Sequence, residues 1–234
     1  MNKIGKILRI VAIIMLGLTA AMNLLGGIGT TCVAFSSNIG FRMAFKELMD
    51  VRWVYQALVV ITILIGLVGI WATVKFVRGS PNIYRNALII LLVGSIFGGI
   101  QYFTSLALRG EAAPANVKFY LNLLTLIVFL AFRLPGIWQK IDFTTPGGRN
   151  ETRAGVGLAA IVAGITTLTI FTWAGPSHTF LLMNWTYVLK IPLILVGSGL
   201  TIWGIMLSAQ AFIEVLSSEI AMPGLNPSKI KSQL

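Results

Sequence analysis

Residues 53–74 read WVYQALVVITILIGLVGIWATV and carry no charge between Arg52 and Lys75. At about 1.5 Å per helical residue, such a run crosses the ~30 Å hydrocarbon layer of a bilayer. The stretch reads as a membrane-spanning helix, and the same reading extends outward along the chain. Upstream, the uncharged run between Arg9 and Arg42 places a span at 10–29, with the chain leaving through Thr30 to Phe35. Downstream, spans fall at 86–108, 115–134, 154–174 and 187–209. In the fourth, only 119–132 is free of charge. There Pro114 opens the helix, Lys118 snorkels to the near interface, and Pro135-Gly136 ends it. Gly175-Pro176-Ser177 divides the fifth span from the sixth. The expected fold is all-α: a polytopic membrane helical bundle of six transmembrane helices plus a short outer interfacial helix, in one integral membrane domain over 1–234.

Composition agrees. Of 234 residues, 56% are hydrophobic and 11% charged, with mean hydropathy +0.87. A soluble domain carries roughly 25% charge, so disorder, a coiled coil, a nucleic-acid module and an ordinary water-soluble enzyme are excluded. The basic residues behind the net charge of +11 lie singly or in small groups between apolar runs, without a basic stripe on a polar domain. This pattern fits attraction to a bilayer with anionic headgroups and control of insertion, not nucleic acid. Lys3, Lys6 and Arg9 precede an apolar run too long for a signal-peptide core, so the first span is expected to stay uncleaved.

Basic residues orient the bundle. With six spans, 12 of the 18 Lys and Arg fall on the side of the termini and five on the other, Lys190 apart. Positive loops are retained inside, which predicts a plasma (inner) membrane protein with both termini cytoplasmic. Residues 210–234 read as a helical extension ended by Pro223-Gly224 and a loose tail.

Two polar connections stand out. After the first span, Phe41, Ala44, Phe45, Leu48 and Val51 recur at helical spacing, with Arg42, Lys46, Glu47 and Asp50 opposite. This predicts an amphipathic helix in the outer interface, with Lys46 and Asp50 as an i,i+4 pair. On the inner side, 133–153 contains Thr144-Thr145-Pro146-Gly147-Gly148-Arg149, which lacks the lysine and helix-start spacing of a phosphate loop. It reads as a solvated turn. A weak repeat relates Trp53-Val54-Tyr55 and Ile63 to Gly66 with Trp185-Thr186-Tyr187 and Ile194 to Gly197, and Ile10-Val11-Ala12 with Ile161-Val162-Ala163. An aromatic belt at headgroup level accounts for its Trp and Tyr pairs on its own.

Helices in lipid associate by close packing, so small residues mark contacts. Gly66, Gly69, Gly94, Gly98 and Gly197 are the candidate helix-packing faces. Chemistry should show as polar groups at depth, and no Asp or Glu falls within a span. Asn23, Gln101, Tyr102, Thr104 and Ser105 are neutral groups suited to interhelical hydrogen bonds. One Cys (Cys32) and one His (His178) exclude an intrachain disulfide and paired haem imidazoles; no catalytic residue, metal site or cofactor is expected. Lys190, with Trp185, Tyr187 and His178, is the candidate site for an anion or lipid headgroup.

The function read from these residues is that of a non-catalytic multi-pass membrane protein. It would be a subunit or scaffold binding lipid, other membrane subunits or its own copies. The alternative is a small permease or channel for a neutral or anionic solute, using Lys190. A lipid- or quinone-directed enzyme would need His178, Lys190, Glu47 and Asp50 to come together.

Overall fold

The computed structural model describes residues 3–220, apart from 36, 38, 113–114, 174, 176–178 and 181–182. Helices α1 (Lys3–Phe35), α2 (Ile39–Ala44), α3 (Arg52–Arg78), α4 (Ile83–Arg109) and α5 (Ala115–Ala131) come first. They are followed by α6 (Pro135–Trp138), α7 (Arg149–Leu168), α8 (Ile170–Trp173) and α9 (Lys190–Ile220). A two-residue hairpin pairs β1 (Thr179–Phe180) with β2 (Met183–Asn184). Lys46–Leu48 and Trp185–Leu189 are 3-10 turns, and Asn184 caps the second by accepting from the Thr186 amide at 3.0 Å. Helix α4 is bounded by left-handed residues, Asn82 at φ 64° and Gly110 at φ 72°. Glycine takes the latter conformation without a steric cost.

Helices α1 and α3, α4 and α5, and α7 and α9 pair closely, and α1 also touches α5 and α7. One end of the bundle is defined by ionic contacts. Lys6 pairs with Glu151 at 3.3 Å, Arg153 pairs with Glu214, and Arg9 donates to the Phe76 carbonyl at 3.0 Å. The starts of α1 and α7 therefore share an end with the close of α3 and the later turns of α9. At the opposite end, the Ala34 carbonyl accepts from Arg52 Nε at 2.8 Å and Gln56 Nε2 at 3.1 Å. Helix α5 traverses the same bundle, with Lys118 beside Thr62 of α3 and Phe129 beside Phe76.

Four helical segments are long and apolar enough to cross a membrane: Ile4–Phe35, Arg52–Arg78, Ile83–Arg109 and Thr186–Glu214. This is compatible with a membrane protein. Helix α5, at 17 residues, is about 26 Å long. Helix α7 has 20 residues but opens with Arg149, Glu151 and Arg153. Large apolar side chains face outward, among them Val60, Leu64, Ile96, Leu124, Ile127 and Leu195, while Thr19, Asn23, Thr62 and Asn122 are buried alongside apolar core residues such as Ile13, Leu16 and Phe76.

Three expectations are corrected. The first helix continues through Thr30 to Phe35 instead of ending near 29. Thr30 Oγ1 donates back to the Gly26 carbonyl at 2.7 Å, so its polar group is satisfied without leaving the helix. The segment after it is not one amphipathic helix: it breaks at Phe45 (φ −124°, ψ 32°) into α2 and a 3-10 turn. Phe45 and Leu48 turn into the protein against Ala34, Tyr55 and Val59, and Lys46 lies 3.9 Å from Glu47. The inner segment is not merely a solvated turn. Phe143 and Ile141 join the core with Phe76, Tyr84 and Phe129, and the Gly147 amide donates to Val77 O at 3.3 Å.

Candidate functional site

The most unusual local chemistry lies between α1, α3, α4 and α5. Lys118, one turn into α5, is 3% exposed. Its Nζ donates to Thr62 Oγ1 at 3.2 Å and to Gln101 Oε1. Thr62 stands ten residues into α3, about 15 Å along the helix, so the ammonium lies well inside the bundle. The snorkelling expected of Lys118 is thus replaced by burial. The reason is local: the stem packs 3.2 Å from the position a Cβ on Gly26 would occupy, and Gln101 and Thr62 supply acceptors inward.

From Lys118 a continuous polar seam runs along α5. Asn122 Nδ2 donates to the Lys118 carbonyl at 2.8 Å and to Asn23 Oδ1 at 3.2 Å. Asn23 Nδ2 returns a bond to Asn122 Oδ1 at 3.1 Å and donates to Thr19 O at 3.0 Å. Thr19 and Thr125 hydroxyls meet at 2.8 Å. Toward the other end, Gln101 Nε2 donates to Thr30 Oγ1 at 3.0 Å, and Tyr55 and Ser105 hydroxyls lie 2.7 Å apart. Gly94 makes the seam possible, because a Cβ there would collide with Asn122 Oδ1.

The seam is buried: Thr19, Thr62, Asn122 and Thr125 are enclosed with Lys118. Among the described residues, no carboxylate pairs with Lys118. The arrangement can bind helices together and hold one basic group out of water. No three His, Cys, Asp or Glu side chains gather among the described residues.

The sequence-derived candidates fall elsewhere. Lys190 is exposed at the start of α9, 5.6 Å from the centre of the exposed Tyr187 ring. His178 lies outside the described residues, as do the side chains of Trp185 and Cys32. Among the described residues, no hydrogen bond or ion pair joins Lys190 to Glu47 or Asp50. The glycines face neighbouring helices. A Cβ on Gly66 would stand 2.7 Å from Leu24 N, one on Gly69 2.8 Å from Ala20 Cβ, and one on Gly98 3.5 Å from Phe119 Cα. One on Gly197 would stand 2.8 Å from Leu168 Cγ. The matched repeat segments do not share one register: the Ile10–Ile161 match carries Leu24, the contact of Gly66, onto Gly175, whereas Gly197 meets Leu168.

Sequence reasoning noted Asn23, Gln101 and Ser105 but missed the centre of the seam. Lys118, Asn122 and Thr125 recur at i, i+4 and i+7, one helix face, and that spacing was the available signal. Compared with protein-family models, curated proteins and solved structures, the chain matches none of them.

Proposed function

We propose that the protein is a non-catalytic, six-span membrane protein that serves as a subunit or scaffold, with both termini cytoplasmic. One observation carries this reading. The bundle interior is closed by glycine contacts and internally paired polar groups, whereas α9 has α7 as its main helical neighbour and leaves Ile191, Leu195, Ile202, Trp203, Ile205 and Met206 exposed. A helix so covered on one side is suited to lipid and to partner helices, which associate in bilayers by close apolar packing. Six spans are supported by the traversal of α5 and α7 alongside the four longer helices. Native mass spectrometry after mild detergent extraction tests the reading. Retention of partner subunits or a homo-oligomer is expected; a strictly monomeric chain sinks it.

Lys118 favours a second reading, a permease or channel for a neutral or anionic solute. A buried basic group inside a membrane bundle is expensive to maintain and commonly functional. In this reading Lys118, not Lys190, meets the solute when α5 moves away from α3 and α4. Solute flux through reconstituted vesicles that is abolished by K118M would select it.

A further inference from the structure

At the end of the bundle where α1 and α7 begin, a cleft of about 270 Å³ lies between the start of α4 and the chain that follows α5. Its floor is aromatic and fixed. Tyr84 meets Trp138 edge-on at 4.8 Å between ring centres and stacks on Phe143 at 5.5 Å. Trp138 returns over Tyr84 because α6 adds one helical turn after α5, with the Trp138 amide donating to Leu134 O at 2.9 Å.

Two arginines border this floor. The Arg133 guanidinium carbon lies 4.6 Å from the centre of the Trp138 ring and 5.1 Å from that of Tyr84. Arg85 lines the same cleft. Both are exposed, and among the described residues neither pairs with a carboxylate. A guanidinium drawn against aromatic rings keeps edge N–H groups for a pair of oxygens. Ser80, also in the lining, adds a hydroxyl whose bond to the Pro81 carbonyl is 3.5 Å, at the long limit for a hydrogen bond.

One carboxylate, Asp142, shares the lining. Both its oxygens are engaged within its own segment. Oδ1 accepts from the Thr144 amide and hydroxyl, each at 2.7 Å, and Oδ2 from the Thr145 hydroxyl at 2.8 Å. It offsets one arginine, so the lining keeps a net positive charge, and the charged groups left uncommitted are donors alone. That set selects an anion, and a guanidinium already oriented by its rings loses little freedom on binding. Leu134, next to Arg133, and Ile89, one turn beyond Arg85 on the same face of α4, are exposed apolar neighbours.

We propose that this cleft binds a phosphate-bearing anion, with Arg133 and Arg85 donating to the phosphate oxygens. The phosphate belongs either to an anionic lipid headgroup, whose chains would lie beside Leu134 and Ile89, or to a soluble phosphate. The lipid source rests on the membrane reading above. The anion site itself needs neither that reading nor the scaffold role.

The test uses the full chain in mild detergent. Phosphatidylglycerol and phosphatidylcholine of identical acyl chains are titrated and followed by native mass spectrometry, and inorganic phosphate is titrated by calorimetry. Preference for phosphatidylglycerol without heat from phosphate assigns a lipid headgroup; heat from phosphate alone assigns a soluble anion. R133Q and R85Q should each weaken binding of the ligand held by about tenfold. R85Q changes an exposed side chain and so tests the site even where R133Q disturbs the aromatic packing. R149Q removes the same charge at the same end of the bundle, from a residue outside this cleft, and should leave binding unchanged. Equal retention of the two lipids with no heat from phosphate overturns the site. So does an equal loss in R149Q, which would mean diffuse attraction to a basic end. Carbonate extraction separates the two levels. A chain released from membranes defeats the membrane reading and leaves the phosphate titration to decide the site, whereas an integrated chain that selects neither probe defeats this site alone.

Discussion

Asn23 and Asn122 face each other across the contact of α1 with α5 and exchange a reciprocal pair of hydrogen bonds, 3.1 and 3.2 Å long. Each spends its second amide proton on a carbonyl one turn back in its own helix, Thr19 for Asn23 and Lys118 for Asn122. All four N–H groups are satisfied, which is what a buried amide pair requires in order to hold two helices in one register.

Replacing one member strands the other. N23L or N122L is expected to destabilise the bundle by about 1–3 kcal/mol. The double variant should lose less than the sum of the two, because no amide is then left unpaired. Thermal unfolding in detergent measures the cycle, and strict additivity would contradict the pairing.

Lys118 is held by Thr62 and Gln101 without an acidic partner among the described residues. K118M keeps much of the buried stem and removes the ammonium. Its thermal midpoint in detergent should equal or exceed that of the unaltered chain, as when buried charges give way to apolar groups of similar volume. A loss greater than about 2 kcal/mol would show that the hydrogen bonds outweigh the burial cost.

Two glycines in helices distinguish close approach from mere flexibility. At Gly66 a methyl group would stand 2.7 Å from the Leu24 backbone nitrogen, whereas at Gly199 nothing lies within 4 Å. G66A should cost about 1–3 kcal/mol by forcing α1 from α3. G199A should be neutral or stabilising by up to about 1 kcal/mol through helix propensity. Paired unfolding measurements on the two variants decide this, and equal effects would refute the close contact.

Arg9 is buried and ties three carbonyls together: Phe76 at 3.0 Å, Val77 at 3.4 Å and Asp142 at 3.2 Å. R9M should leave these acceptors, two at the end of α3 and one in the inner segment, without their guanidinium. Amide hydrogen exchange should then accelerate at Ser80 and Gly147, whose amides donate to the Phe143 and Val77 carbonyls and hold the inner segment in place. Unchanged protection there would mean that the aromatic core alone anchors the segment.

Asp142 accepts from the Thr144 hydroxyl at 2.7 Å, the Thr144 amide at 2.7 Å and the Thr145 hydroxyl at 2.8 Å. Hydrogen bonding to the charged form holds this carboxyl well below the usual carboxylate range. A folded pKa below the unfolded value of about 3.9 gives stability that is present above that value. That stability is lost as the pH falls through the folded pKa. The unaltered chain should therefore lose more stability than D142N on acidification below about pH 4. Parallel loss in both proteins would show that the turn makes no such contribution.

Much of the helical architecture is legible without coordinates. Residues 53–74 fall within α3 and residues 86–108 within α4, because long uncharged apolar runs have few other stable states. Predicted boundaries failed where a side chain supplied a local alternative, as at Thr30, whose hydroxyl returns to its own helix. They failed also where a buried aromatic redirected the chain, as at Phe45. The site was less visible. Charge counting led to Lys190, which is exposed, and set Lys118 at the interface, although Lys118 is the buried one.

The amino-acid order alone determined that these helices are apolar outside and that its charges sit largely between them, since hydropathy is a property of each segment by itself. Which basic residue is enclosed and which glycine admits an amide depended on the lateral placement of helices. Lys118 meets Gln101, and Asn122 meets Asn23, across 17 and 99 residues of chain. Contacts of that kind arise from rotation and register between neighbours, which a helix's own periodicity constrains to a face but does not assign to a partner.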